Sequence, residues 1–269
     1  MRNIIRGVVM GITDLIPGIS GGTIAMVLGF YHELVEAING LFSKNWRKHV
    51  LFLAPLLLGI GIALLAFSRI IEWLIANHSL PLFFFFNGLI LGIIPFLLRE
   101  ANFKKTFRLT HYSLMVLAAL LVVATGFLRE EDMEVIWTNL SFVQYIYLFF
   151  AGWLASSAMI LPGISGSLIF LLLGVYPTVI NSISNLNISV LAIIGIGIVI
   201  GLVLTSRLIQ FLFLRFSTST FAAMIGLVLG SLIIIFPGIP QTIPYGILCV
   251  VLFFIGAFLA YMLGKSEHS

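Results

Sequence analysis

IPGISGG, residues 16–22, stands where an apolar segment should be running as unbroken helix: Gly7-Val8-Val9-Met10 precedes it and Ile24-Ala25-Met26-Val27-Leu28 follows. Pro17 has no amide proton and its ring crowds the preceding turn, while Gly18, Gly21 and Gly22 loosen the backbone, so the pattern predicts a helix break. Ser20 and Thr23 add hydroxyls beside it. The arms of the break, residues 4–16 and 18–30, are each about 20 Å of helix at 1.5 Å per residue. A membrane crossing takes about 20 residues, so neither arm spans. The expectation is a re-entrant hairpin that turns near the midplane at Pro17-Gly18. The same pattern returns as LPGISGS at residues 161–167.

The rest of the chain supplies the membrane. Of 269 residues, 61% are hydrophobic and 9% charged, with a mean hydropathy of +1.18. That balance excludes a soluble domain and predicts an all-α polytopic membrane protein. Apolar runs of spanning length lie near 50–76, 80–98, 111–128, 188–208, 218–236 and 244–264. Cys249 is the single cysteine, which excludes an intramolecular disulfide. The histidines at 32, 49, 78, 111 and 268 show no metal-ligand spacing, so neither a metal nor another cofactor is expected. The opening residues Met1-Arg2-Asn3-Ile4-Ile5-Arg6 are basic, but no small-residue cleavage pattern follows, so the segment reads as retained. The net charge of +4 resides in loops and carries no nucleic-acid signature.

Loop charges orient the spans. Lys44, Arg47 and Lys48 lie in one connector and Arg99, Lys104, Lys105 and Arg108 in another, whereas Arg129-Glu130-Glu131-Asp132-Met133-Glu134 is acidic. The positive-inside rule places the two basic loops in the cytoplasm, and one span, 111–128, then carries the acidic loop outside. Arg2 and Arg6 put the N-terminus inside as well, so residues 2–43 enter and leave on one face. The remaining spans bring Lys265, and the C-terminus, back to the cytoplasm. The second hairpin starts from the external loop, although residues 142–161 are long enough to span alone.

The halves match beyond one motif. Pro17-Gly18-Ile19-Ser20-Gly21, Gly29 and Tyr31 align with Pro162-Gly163-Ile164-Ser165-Gly166, Gly174 and Tyr176 at an offset of 145. Downstream the offset becomes 138: Gly59 pairs with Gly197, Ser68-Arg69 with Ser206-Arg207, Gly88-Leu89 with Gly226-Leu227, and Leu91-Gly92 with Leu229-Gly230. Each unit reads as a re-entrant helical hairpin followed by three transmembrane helices. Three is odd, so the second copy is inverted. The expected organisation is a single integral membrane domain over residues 1–269, with repeat one at 1–128, repeat two at 142–264 and an external acidic linker at 129–141. Inverted repeats with interrupted helices near the midplane are the architecture of alternating-access carriers.

The polar residues define a candidate site. A PGxSG turn ahead of a helix presents the amides of Gly18, Gly21 and Gly22 with the hydroxyls of Ser20 and Thr23, a nest suited to an oxyanion. Pro17 shapes the first turn, and Gly163, Ser165, Gly166 and Ser167 offer the same from the second half. The competing reading is a tight turn whose polar groups satisfy one another. Arg69 and Arg207 lie in apolar runs, where an arginine faces either a partner, a cavity or the interface; the topology sets Arg69 toward the outside and Arg207 toward the inside. Glu72, three residues on, either pairs with Arg69 or takes up a proton; its counterpart is Gln210. Asp14 has Met159 at its equivalent position and reads either as a structural carboxylate or as a proton-coupling group. Glu33 and Glu36 read as interfacial, and Phe83-Phe84-Phe85-Phe86 as lipid-facing or packing surface.

Asp14-x-x-Pro17-Gly18-x-Ser20-Gly21-Gly22-Thr23, together with Pro162-Gly163-x-Ser165-Gly166-Ser167, resembles the PopT family of bacterial polyprenyl-phosphate translocases over essentially the whole chain. In the second copy Ser167 and Leu168 replace Gly22 and Thr23. The resemblance implies transport of the lipid carrier undecaprenyl phosphate from the outer to the inner leaflet of the bacterial cytoplasmic membrane, for reuse in cell-envelope synthesis. The expected partners are that lipid and the surrounding membrane lipids, with a homo-oligomer left open. The chain is also similar to BacA-type undecaprenyl-pyrophosphate phosphatases, whose first motif is flanked by glutamates and whose second PG is followed closely by an arginine. Here Asp14 stands alone and Gly166-Ser167-Leu168 follows Ser165, which weakens a hydrolase reading. A small-anion transporter using the same helix ends is the third possibility.

Overall fold

A computed structural model describes residues 2–14, 20–127, 136–137 and 140–266; the tip Pro17-Gly18 and the acidic run 129–134 lie outside the described residues. The described chain is helical, without strands. In the first half it forms α1 (Arg2–Asp14), α2 (Gly21–Val27), α3 (Tyr31–Asn39), a short 3-10 turn, α4 (Trp46–Glu100), α5 (Phe103–Thr106) and α6 (Leu109–Phe127). The second half forms α7 (Phe142–Ile160), α8 (Gly166–Leu172), α9 (Tyr176–Ser184), α10 (Ile188–Ile235) and α11 (Ile243–Ser266). Among the described residues, six helical stretches are long and apolar enough to cross a membrane. The protein is polytopic and all-α.

α4 and α10 are each far too long for one crossing. At 1.5 Å per residue, 48 residues of α10 reach about 72 Å, more than two hydrocarbon thicknesses. Each bends at one residue with non-helical dihedrals, His78 (φ −138°, ψ 39°) in α4 and Phe216 (φ −135°, ψ 44°) in α10. Pro81, three residues past His78, cannot donate to the turn before it and crowds that turn, which favours a break there. No proline accompanies Phe216. The two breaks are nevertheless 138 residues apart, the offset read from the sequence.

The expected 18–30 arm differs from what forms. α2 is only seven residues long, and the chain turns again at Gly29 (φ 69°) before α3. The left-handed conformation at Gly29 is one that glycine adopts without steric cost. Gly174 (φ 67°) makes the same turn between α8 and α9, where the helix axes differ by 119°. α7, by contrast, is a complete 19-residue helix, long enough to cross alone.

Close backbone contacts repeat at the two offsets. A methyl on Gly7 would strike the Leu56 carbonyl and one on Gly152 the Ile194 carbonyl, fastening α1 to α4 and α7 to α10. Gly88 sits on the Phe253 carbonyl of α11, and Gly226 on the Met115 carbonyl of α6. The last helix of each half therefore packs on the long helix of the other. Small residues let helices approach until dispersion is maximal, which matters in lipid because the hydrophobic effect adds little between membrane helices. α2 lies at the centre, with every residue from Gly21 to Val27 buried. Phe30, Ile90, Ile93 and Ile225 pack around it, while Leu65, Leu117 and Phe258 face outward.

Candidate functional site

The two motif copies meet at the centre of the protein, and their roles differ. Ser20 is the N-cap of α2 and accepts a hydrogen bond from the Gly22 N–H at 3.1 Å. Its hydroxyl also donates to the carbonyls of Met159 and Leu161, 3.0 Å from each, a single proton shared between the two acceptors. Tyr31 donates its hydroxyl to the Ile160 carbonyl at 3.2 Å. These carbonyls belong to the end of α7, where helix geometry leaves the last carbonyls without intrahelical partners. Thr23 accepts the Gly163 N–H at 2.9 Å. Gly163 itself has φ 87° and sits against the Leu227 carbonyl, so a side chain there would be both strained and crowded. Ser20 and Thr23 are buried. Their polar groups close the first turn onto the second.

Ser165, the equivalent N-cap of α8, makes no such cap bond. Its hydroxyl pairs with that of Ser167 at 2.8 Å. Both serines are half-buried and line a cavity of about 220 Å³ with Asp14, Ser20, Gly21, Gly166, Ser156 and Met159. The carboxylate of Asp14, at the end of α1, faces Gly21: a Cβ placed on that glycine would stand 3.2 Å from Oδ1. The cavity thus combines one carboxyl with several hydroxyls in a setting of Ala155, Phe170 and Ile198. Donors from Ser165 and Ser167 can serve an oxyanion. A carboxylate beside that oxyanion repels it, unless a proton lies between the two.

Other expected site residues lie elsewhere. Gly22 is buried with α2, against the Ile160 carbonyl, and is not among the residues lining this cavity. Arg69 and Arg207 are exposed and do not line it either. Arg207 donates from Nε to Asn39 Oδ1 of α3 at 3.2 Å, and the Asn39 amide bonds Gln210. Glu72 lies on α4, with its side chain outside the described set. Two features escaped the sequence reading. Arg6 is buried, paired with Glu33 at 2.9 Å and set over the Phe30 ring at 4.5 Å, which ties α1 to α3. His32 and Glu100 share a second cavity of about 240 Å³ with Phe213 and Phe221. No linear motif joins these residues; only an arginine one turn into an apolar helix signalled the first.

Comparison with known proteins places these residues in context. Residues 10–245 match the family described as undecaprenyl phosphate translocase-like. A protein of Staphylococcus aureus named polyprenyl-phosphate transporter is 38% identical over 270 aligned positions, covering 98% of this chain and 95% of that protein. One of Vibrio cholerae with the same name is 35% identical, covering 87% of this chain and 76% of its own length. No solved structure matches.

Proposed function

The chain belongs to the undecaprenyl phosphate translocase-like family, and we propose that it is a flippase moving undecaprenyl phosphate from the outer to the inner leaflet of the bacterial cytoplasmic membrane for cell-envelope synthesis. The observation that carries this reading is the polar cavity built from both motif copies inside an otherwise apolar protein. Moving a phosphate through hydrocarbon is prohibitive unless polar contacts replace its water. Ser165, Ser167 and the backbone around Gly166 supply those contacts, with Ser20 on the same wall. Ser20, Thr23 and Gly163 hold the two turns together.

The halves act as inverted repeats, each with its re-entrant hairpin, and rocking of one against the other exposes the cavity to alternate leaflets. Arg69 toward the outside and Arg207 toward the inside attract the phosphate at each face. Asp14 takes up a proton as the phosphate enters, which removes the repulsion between two anions and couples the step to the proton gradient. Glu72 is the alternative proton acceptor. The N- and C-termini lie in the cytoplasm.

The test uses purified protein in liposomes with labelled polyprenyl phosphate and pyrophosphate, following leaflet exchange, phosphate release and free-anion flux together. Exchange without phosphate release is expected, and Asp14→Asn is expected to abolish its dependence on a proton gradient. Phosphate release without exchange would establish a phosphatase instead, and flux of free phosphate a small-anion transporter.

A further inference from the structure

The cavity at Asp14 has a twin. A second cleft of about 190 Å³ has Met10, Gly21, Gly22, Ile60 and Met159 at its inner end. Shifting Met10, Gly21 and Gly22 by the upstream offset leads to Ala155, Gly166 and Ser167. Ile60 leads to Ile198 by the downstream offset, and Met159 leads back to Asp14. All five of those residues line the polar cavity. The two clefts therefore occupy the same place in the two halves. They differ in polarity at two of the five positions, where Gly22 and Met159 stand opposite Ser167 and Asp14, and in size at Met10 and Ala155. The twin is apolar throughout, closed by leucines and isoleucines of α3 and α4 and by valines of α10. It adjoins the polar cavity, because Gly21 and Met159 line both. Its outer rim, at Leu57 and Val199, is exposed on the face presented to lipid.

Resting on the transport reading above, we propose that the apolar cleft receives the first isoprenoid units of the transported lipid while the phosphate occupies the polar cavity across the Gly21–Met159 wall. A small anion needs only the polar member of the pair. An amphipathic ligand, charged at one end and branched hydrocarbon from its first carbons, fits a polar and an apolar cleft that share a wall. The remainder of the tail stays in the bilayer through the Leu57–Val199 opening. Hydrocarbon gains little by leaving lipid, so recognition here comes from shape and dispersion. The cleft accordingly selects methyl-branched isoprenoid over straight acyl chain.

The experiment uses the full chain in liposomes with a polyprenyl phosphate bearing a diazirine on the isoprene unit next to the phosphate. Cross-links are expected at Met10, Ile60 or Met159, and excess polyprenyl phosphate should suppress them far more strongly than hexadecyl phosphate does. Cross-links scattered over α6 and α11, or suppressed equally by both competitors, overturn the proposal; the second result would mean that the cleft takes any alkyl chain. A second arm fills the cleft with Val203→Trp and compares it with Ser167→Ala. Half-maximal exchange should shift about tenfold in Val203→Trp, equivalent to ~1.4 kcal/mol. Loss of exchange in Ser167→Ala with none in Val203→Trp overturns the cleft and leaves the transport reading standing. Failure of the unaltered protein to exchange polyprenyl phosphate overturns both.

Discussion

At the scale of single residues, two serines that occupy equivalent places in the sequence have different tasks. Ser20 is buried and spends its hydroxyl on the Gly22 amide and on the carbonyls of Met159 and Leu161. Ser165 is half-buried, caps nothing, and shares a proton with Ser167 at the cavity wall. Truncation should separate the two roles. Ser20→Ala is expected to lower unfolding stability by about 1–2 kcal/mol, the cost of losing a cap and leaving carbonyls unpaired. Ser165→Ala and Ser167→Ala should stay within about 0.5 kcal/mol of the parent in stability. Their exchange rates should fall about ten- to a hundredfold, because a hydrogen bond to a charged group contributes about 1.5–3 kcal/mol. Denaturant titration beside the liposome assay checks this, and a Ser20→Ala protein of unchanged stability would refute the assignment. The motif alone offers no such distinction, since both copies read PGISG; only the orientation of the α7 carbonyls creates it.

At the scale of elements, α1 is a 13-residue helix that packs along α4. It is fastened by the close approach of Gly7 to Leu56 and by the Arg6–Glu33 pair. The Arg6 guanidinium is buried while the Glu33 carboxylate is half-exposed. Removing the arginine therefore leaves an acid that water can still reach. Arg6→Ala should cost about 1–2 kcal/mol, below the 3–5 kcal/mol of a fully buried pair. It should also raise the cysteine reactivity of probes placed on α1, measured by maleimide labelling. Reactivity no greater than in the unaltered chain would show that packing alone holds the helix. The sequence alone gives Arg6 only a topogenic role, because a charge near a helix start looks the same whether it meets water, a lipid headgroup or a carboxylate 27 residues along the chain. The break at His78 has a proline to announce it; the one at Phe216 becomes legible only through the 138-residue offset.

At the scale of the molecule, the halves are interlocked. α11 packs along α4 and α6 along α10, so neither half is complete without the last helix of the other. These glycine contacts cross between the halves, so any movement of one half against the other has to carry α11 with α4 and α6 with α10. The proposed inverted arrangement makes a direct prediction about sidedness. In a Cys249→Ser background, cysteines placed at Lys44 and Lys104 should react with an impermeant maleimide only from the cytoplasmic side. A cysteine at Glu131 should react only from outside. Labelling of Glu131→Cys from the cytoplasm would place an even number of crossings in the first half and end the inverted arrangement. The apolar and polar twin clefts also belong to this scale, because each draws on elements of both halves.

Read alone, the sequence determines the membrane class, since a chain that is 61% hydrophobic and 9% charged has no soluble alternative. It also announces some of the breaks, such as the one before Pro81, because proline acts locally through sterics and a lost donor. The duplication is written in it as two constant offsets. What only the tertiary structure decides is which polar group meets which. That depends on contacts such as Ser20 with Met159 and Thr23 with Gly163, which join residues about 140 positions apart and obey no local rule. It sends Arg69 and Arg207 to the surface, away from the cavity. It buries Arg6 beside Glu33. And it sets Asp14 and Met159, equivalent in the repeat, on the walls of two clefts that differ because burial makes a carboxyl and a thioether suit different ligands.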